Sequence, residues 1–249
     1  MSRGLYTIAS SMVAQMNRQA ALAGALANIS TAGYKADLFR TRSFPSVFLR
    51  AAQSGGLSRR HGALGSGVIM DDLGPDLRQG TLIQTDGALD LAIDGPGFFV
   101  VRDQGNNVRL TRDGHFLAAA DGSLATSEGF VLLSDRNDPI NVGGGSAVKI
   151  ARTGEVFVDG APVATIKFAT APADALLRAG GTSLVLKAGQ TLESAQAQVV
   201  QGSLEGSNVN TTALLTQMIS VARAYESAQR VFEMENRILG QSVNDVGRV

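Results

Sequence analysis

Residues 5–29 read LYTIASSMVAQMNRQAALAGALANI, with no proline, a single glycine at Gly24 and frequent alanine. That composition favours helix, because alanine and unbranched side chains lose little freedom there. Leu5, Ile8, Met12, Gln15, Gln19, Leu22, Leu26 and Ile29 are spaced alternately by three and four residues, and six of the eight are apolar. One narrow seam of a helix about 40 Å long is therefore hydrophobic. Gly33 is the natural stop.

The other end repeats the design. After Gly206-Ser207-Asn208-Val209-Asn210 a stretch without breakers runs to about Gly240, and Asn210 or Thr211 can cap its start. Its sevenfold positions are Thr211, Met218, Tyr225, Phe232, Leu239 and Val246, interleaved with Leu214, Val221, Ala228, Glu235 and Ser242. Glu226 and Glu233 each precede an arginine by four residues, Arg230 and Arg237, in the order that favours a helix. Neither helix has a helical partner in the chain's middle, so the two are expected to pair with each other, antiparallel, or with neighbouring subunits.

From about Leu77 to Val200 the pattern changes to short apolar or alternating runs. These include Leu89–Ile93, Phe98–Val101, Phe130–Leu133, Val156–Val158, Val163–Phe168 and Leu184–Leu186. Asp-Gly pairs at 86–87, 94–95, 113–114, 121–122 and 159–160 punctuate them as turn or hairpin signals. An antiparallel β sandwich or irregular barrel follows. Residues 41–74 show little periodicity and are Gly-rich at Ser54-Gly55-Gly56 and Gly65-Ser66-Gly67. That segment reads as extended and poorly ordered unless a partner holds it.

Composition excludes several chemistries. Lys plus Arg and Asp plus Glu both number 22, giving zero formal charge, so nothing in the total suggests nucleic-acid binding. The absence of cysteine removes disulfides, thiolate metal sites and a thiol nucleophile. No run is long and apolar enough to span a membrane. Thr7, Ser10, Ser11, Gln15, Asn17 and Arg18 interrupt any signal-peptide core, so an exported chain is expected to keep its N-terminus. His61 and His115 have no ligand-spaced partner and read as surface residues, and Asp71-Asp72 is an adjacent pair in a loop. No catalytic, cofactor or metal residue is assigned.

Three separated strings carry a resemblance. Leu26-Ala27-Asn28-Ile29-Ser30-Thr31-Ala32-Gly33-Tyr34-Lys35 closes the first helix. Gln79-Gly80-Thr81-Leu82, Leu89–Val101 and Thr111-Arg112-Asp113-Gly114-His115-Phe116 occupy the middle. Leu204-Glu205-Gly206-Ser207-Asn208-Val209-Asn210, with Met218-Ile219 and Arg223-Ala224-Tyr225-Glu226, opens the last helix. In this order they resemble the flagellar rod and hook family, from which the chain departs at Gly24-Ala25, where members commonly carry an asparagine pair.

The resemblance implies a mixed α and β fold, with N- and C-terminal helices pairing as an antiparallel coiled-coil-like unit, a central mostly antiparallel β domain, and an extended arm. The expected divisions are 1–35 (inner-core helix), 36–76 (inter-subunit arm), 77–202 (outer β domain) and 203–249 (second inner-core helix). It implies a structural rod subunit, nearer the proximal-rod than the distal-rod branch, polymerising as a helical tube that transmits torque and conducts exported subunits. Expected partners are copies of itself, rod proteins above and below, and the flagellar export apparatus, in the periplasmic part of the basal body. The implied interface residues are Leu5, Ile8, Met12, Leu22, Leu26, Asn28, Ile29, Gly33 and Tyr34, with Leu214, Met218, Val221, Tyr225, Phe232 and Leu239. The competing readings are a secreted β-domain module binding carbohydrate or peptidoglycan, and a hydrolase using scattered carboxylates.

Overall fold

In the computed structural model the described residues are 3–43, 47–51, 59–64, 67–143 and 147–246. Helix α1 spans Arg3–Ala27 and helix α2 spans Thr211–Val246. α2 passes through Gly240 rather than stopping there, since one helical glycine costs only about 1 kcal/mol. The chain groups into two compact units, one formed by residues 1–24, 39–72 and 211–249, the other by 25–38 and 73–210.

The second unit is the β domain. Among the described residues its largest sheet has nine strands, running 176–178, 183–186, 108–111, 98–102, 131–132, 124–126 and 116–118 in spatial order, with 168–170 also paired to 98–102 and 193–194 paired to 168–170. The pairings in it are antiparallel. Strand Phe98–Arg102 explains its own sequence. Phe99 and Val101 enter one core with Leu91, Ile93, Phe116 and Leu132, while Phe98 and Val100 enter a second with Leu110, Leu133, Leu176 and Leu184. A strand covered on both faces needs apolar residues at consecutive positions rather than at alternate ones. Phe99 and Phe116 meet edge to face at 5.2 Å, which adds about 0.5–1.5 kcal/mol beyond simple burial.

Two of the five Asp-Gly signals close hairpins. Asp121-Gly122 joins strands 116–118 and 124–126, and Asp159-Gly160 joins 155–158 and 161–165. At Asp159 and Gly160 φ is 49° and 87°, the pair of positive values that matches the twist of a two-residue hairpin. The other three pairs turn the chain between strands that are not partners.

Residues 36–76 contain strands Asp37–Ser43, Val47–Ala51, Arg59–Leu64 and Val68–Pro75, the first pairing the fourth and the second the third. The sequence reading found extended chain without periodicity here. The backbone pairs regardless, because ladder hydrogen bonds join main-chain N–H and C=O groups whatever side chains they carry. Ser54-Gly55-Gly56 and Gly65-Ser66 lie outside the described residues, as do the side chains of His61, Asp72, Ser242 and Val246.

Two glycines give opposite expectations. A Cβ at Gly24, within α1, meets nothing within 4 Å, so Gly24→Ala should raise stability by up to about 1 kcal/mol. Gly33 has φ of 68°, and a Cβ there would lie 2.2 Å from the backbone of Arg112 and Asp113. Gly33→Ala should therefore cost at least the 1–3 kcal/mol of a forced left-handed residue, with the neighbouring backbone displaced as well. Denaturant unfolding of the two variants checks both signs.

Candidate assembly helices and a buried ionic junction

Along α2, the positions shielded from solvent among residues 211–241 are Leu214, Met218, Val221, Tyr225, Ala228, Phe232, Glu235 and Leu239. Their spacing alternates four, three, four, three without exception. Leu214 and Val221 are the fully buried members. A strict 3.5-residue repeat is what a helix acquires when it faces another helix along its length. The face turned away keeps large apolar side chains in water, including Ile219, Met234 and Ile238 at more than half exposure.

On α1 the seam residues Leu5, Ile8, Met12, Gln15, Gln19 and Leu22 are each partly shielded. The deepest residue of this stretch, Ala14, lies off that line. Sequence periodicity missed it because alanine buries well yet barely registers as hydrophobic. Two approaches mark where α1 and α2 meet within the first unit. A Cβ at Gly4 would lie 3.2 Å from Glu235 Oε1. Gln15, Met16 and Gln19 share a groove of about 290 Å³ with Val221, Ala222, Tyr225 and Glu226. In that groove the Oε1 atoms of Gln15 and Gln19 are buried without a hydrogen-bond donor, and an unmet buried acceptor costs about 1–3 kcal/mol.

The remaining expected residues belong to the second unit. Leu26, Asn28 and Ile29 are half-buried, and Gly33 and Tyr34 are buried. Tyr34 carries the Arg178 guanidinium over its ring at 4.6 Å, and burial raises its phenol pKa above the usual 10.0. Arg178 also bonds Asp37 through both carboxylate oxygens.

Beside Tyr34 lies a junction built from all three strings that carry the family resemblance. Glu205 has no solvent exposure. Its Oε1 accepts from Lys35 Nζ at 2.6 Å and from the Gly80 amide at 2.7 Å, and its Oε2 accepts from Arg112 Nη1 at 2.7 Å. Lys35 also donates to the Arg78 carbonyl and Arg112 to the Gly95 carbonyl, both at 2.7 Å. Backbone bonds tie the same pieces together, the Gly33 amide donating to the Glu205 carbonyl at 2.6 Å. Asn208 clamps the site, accepting from the Ala36 amide and donating to the Asp76 carbonyl. Burial pushes the Lys35 ammonium below its usual 10.5, with Glu205 acting in the opposite direction. Arg78 bonds hold Asp76 below the ordinary carboxylate range.

Sequence reading quoted Lys35, Arg112 and Glu205 without joining them. Their separations of 77 and 93 residues follow no motif spacing. The available signal was a charged residue in each of the three strings that carry the family resemblance. His115 is an exposed surface residue, as expected; its Nδ1 lies 2.7 Å from Asp90 Oδ1, and Asp90 in turn accepts from Thr85. These bonds stitch a turn together, and among the described residues no cluster of three metal-ligating side chains occurs. No described helix is long and apolar enough to cross a membrane.

Glu205→Gln leaves two buried cations facing each other and should cost about 3–5 kcal/mol in denaturant unfolding. Lys35 gives a pH test. Between its lowered folded value and the unfolded 10.5, the unfolded chain holds a proton the folded chain lacks. Stability from this group therefore rises with pH across that window, and Lys35→Met should flatten the rise.

Residues 92–158 match the family described as Flagellar hook protein FlgE/F/G D1 domain, and residues 200–245 match Flagellar basal body rod FlgEFG protein C-terminal. The chain is similar to the flagellar hook-basal body complex protein FlhO of Bacillus subtilis, 29% identical with 100% of both chains covered. It is 29% identical to the flagellar basal-body rod protein FlgF of Salmonella typhimurium over 93% of each chain. Against the flagellar basal-body rod protein FlgG of Buchnera aphidicola subsp. Acyrthosiphon pisum it is 31% identical, covering 86% of this chain and 88% of the relative. Matched along nearly its whole length, the chain belongs to the flagellar basal-body rod family, a family of structural subunits and not of enzymes.

Proposed function

We propose that this structural subunit of the flagellar basal-body rod polymerises through its two terminal helices, paired antiparallel as a coiled-coil-like unit, into a helical tube that carries torque and passes exported subunits. The observation that carries this reading is the unbroken four-three spacing of shielded positions along α2. The antiparallel sense is supported by the order of contacts. Gly4 lies against Glu235, while the later residues Gln15 to Gln19 lie against the earlier residues Val221 to Glu226. Large apolar residues left exposed on the outer faces, such as Tyr6, Val13, Met234 and Ile238, supply area for neighbouring copies.

In this arrangement residues 1–35 and 203–249 form the inner core, 77–202 the outer β domain, and 36–76 an arm reaching an adjacent subunit. Leu26, Asn28, Ile29, Gly33 and Tyr34 then serve assembly by fixing how the chain leaves α1. Contacts between unlike faces do not close, so copies add along the axis and other rod proteins continue the tube above and below. The short chain and its Leu204–Asn210 string favour the proximal-rod protein FlgF over the distal-rod protein FlgG. Delivery through the flagellar export apparatus to the periplasm, without loss of the N-terminus, fits a first helix whose polar residues leave no signal-peptide core. An intact mass about 20 residues short in the assembled protein would refute that route. The glycan-binding reading gains nothing from relatives that are rod proteins throughout their length.

Leu22→Asp and Phe232→Asp each put a carboxylate on a seam, where burial without a partner costs several kcal/mol or forces protonation. Both should abolish rod completion and motility while leaving the β signal of the free chain intact by circular dichroism. Gln19→Asp, at a seam position already polar, should be milder. Normal rods in both leucine and phenylalanine variants would refute assembly through the helices.

A further inference from the structure

Five Asp-Gly pairs punctuate the β domain, and the fold holds four of them in place. Gly95 donates its amide to Gln79 Oε1 at 3.2 Å, and its carbonyl accepts from Arg112. Gly114 is buried, with a Cβ there only 1.6 Å from the Leu91 carbonyl oxygen, and Asp113 Oδ1 accepts from the His115 amide. Gly122 donates to the Ala119 carbonyl at 2.8 Å, while Asp121 Oδ1 accepts from the Ser123 amide and hydroxyl. Asp159 Oδ1 accepts from the Ala147 amide, and its pair closes the hairpin in which Val158 faces Ala161.

Asp86-Gly87 differs. It lies between strands Leu82–Gln84 and Leu91–Asp94, and Asp86 is exposed. Among the described residues neither the Asp86 carboxylate nor the Gly87 N–H has a hydrogen-bond partner. Its glycine is dictated by a neighbour, since a Cβ at Gly87 would lie 2.3 Å from Asp90 Oδ2, which Thr85 holds. The turn around the pair is anchored at both ends on Gly202. The Thr85 amide donates to the Gly202 carbonyl at 2.7 Å, and the Gly202 amide donates to the Asp90 carbonyl at 2.8 Å.

We infer that Asp86-Gly87 is a modification site, at which the folded chain rearranges to isoaspartate ahead of the other four pairs. The Gly87 nitrogen bonds to Cγ of the protonated Asp86 carboxyl group. Its proton and the carboxyl hydroxyl leave as water, and a succinimide ring remains. Water then adds to the ring's main-chain carbonyl carbon, whose bond to the Gly87 nitrogen breaks. One water is released and one is taken up, with nothing oxidised or reduced. Glycine permits the attack because no Cβ crowds its nitrogen and its dihedrals are soft. The product chain runs through Cγ and is one methylene longer, with its carboxylate on Cα. That methylene falls between the two anchors, so the turn no longer fits the span that Gly202 fixes. The site is independent of how copies assemble.

The test incubates the full chain near neutral pH, folded and, in parallel, unfolded in urea. Peptide digests fragmented by electron transfer then locate isoaspartate at each pair. Unfolded, the five pairs share one chemistry and should convert at similar rates. Folded, Asp86-Gly87 should lead every other pair by about tenfold, because the others must first break a hydrogen bond or a backbone contact. Asp86→Glu, which would have to close a larger ring, should leave that position silent. In the converted chain the amides of Thr85 and Gly202 should exchange faster than in the fresh one. The inference is overturned if another pair leads in the folded chain or if all five convert alike. It is overturned equally if Asp86-Gly87 stays unconverted when folded while the unfolded chain converts. Unchanged exchange at Thr85 and Gly202 after conversion contradicts the lengthening of the anchored turn.

Discussion

Glu205 is a carboxylate with no access to water, and three donors from separate stretches of the chain converge on it. Removing a charge from water is costly unless opposite charges and hydrogen bonds replace the lost hydration. Lys35, Arg112 and the Gly80 amide supply that replacement at 2.6–2.7 Å. Each donor comes from a different stretch of chain, so the carboxylate can be satisfied only when residues 33–36, 78–80, 112 and 205–208 have converged. The constraint is directional as well as energetic. Oily side chains could fill the same space at many offsets, whereas three donors around one carboxylate accept one.

That knot sits where the chain passes between helix and sheet. The segment leaving α1, Gly33 to Ala36, and the segment leading to α2, Glu205 to Asn208, are bonded to each other there through the Glu205 carbonyl and the Asn208 side chain. A subunit whose two terminal helices must reach neighbours needs those helices to start from fixed points. Fixing the exits in the β domain allows the helices to be finished by other copies. A lone helical hairpin with unmet acceptors at Gln15 and Gln19 gains little over its ordering entropy, and in the proposed assembly neighbouring copies would provide the surface it lacks.

The helices and the β middle were legible in the sequence because each leaves a periodic trace. The seven-residue repeat from Leu214 to Leu239 matched the shielded face of α2 position by position, and Phe98–Val101, Val156–Val158 and Leu184–Leu186 are strands. Ala14 was missed because burial there relies on small size. Three of the Asp-Gly pairs, read as turn or hairpin signals, close no hairpin, because a turn signal fixes local dihedrals and says nothing about which strands pair afterward. The pairing within residues 36–76 left no pattern, being carried by the backbone. The junction at Glu205 was illegible because its members are distant in sequence, although each stood in a string that carried the family resemblance.

Amide hydrogen exchange, compared between the free chain and assembled rods, tests the central claim most directly. Assembly through the terminal helices predicts that amides across α1 and α2 exchange rapidly in the free chain and become strongly protected in the rod. The β domain, including the amides of Gly33 and Gly80 at the junction, should be protected equally in both. If the helices are already fully protected in the free chain and gain nothing on assembly, or if the protection gained falls on the β domain instead, the account of how this subunit polymerises is contradicted.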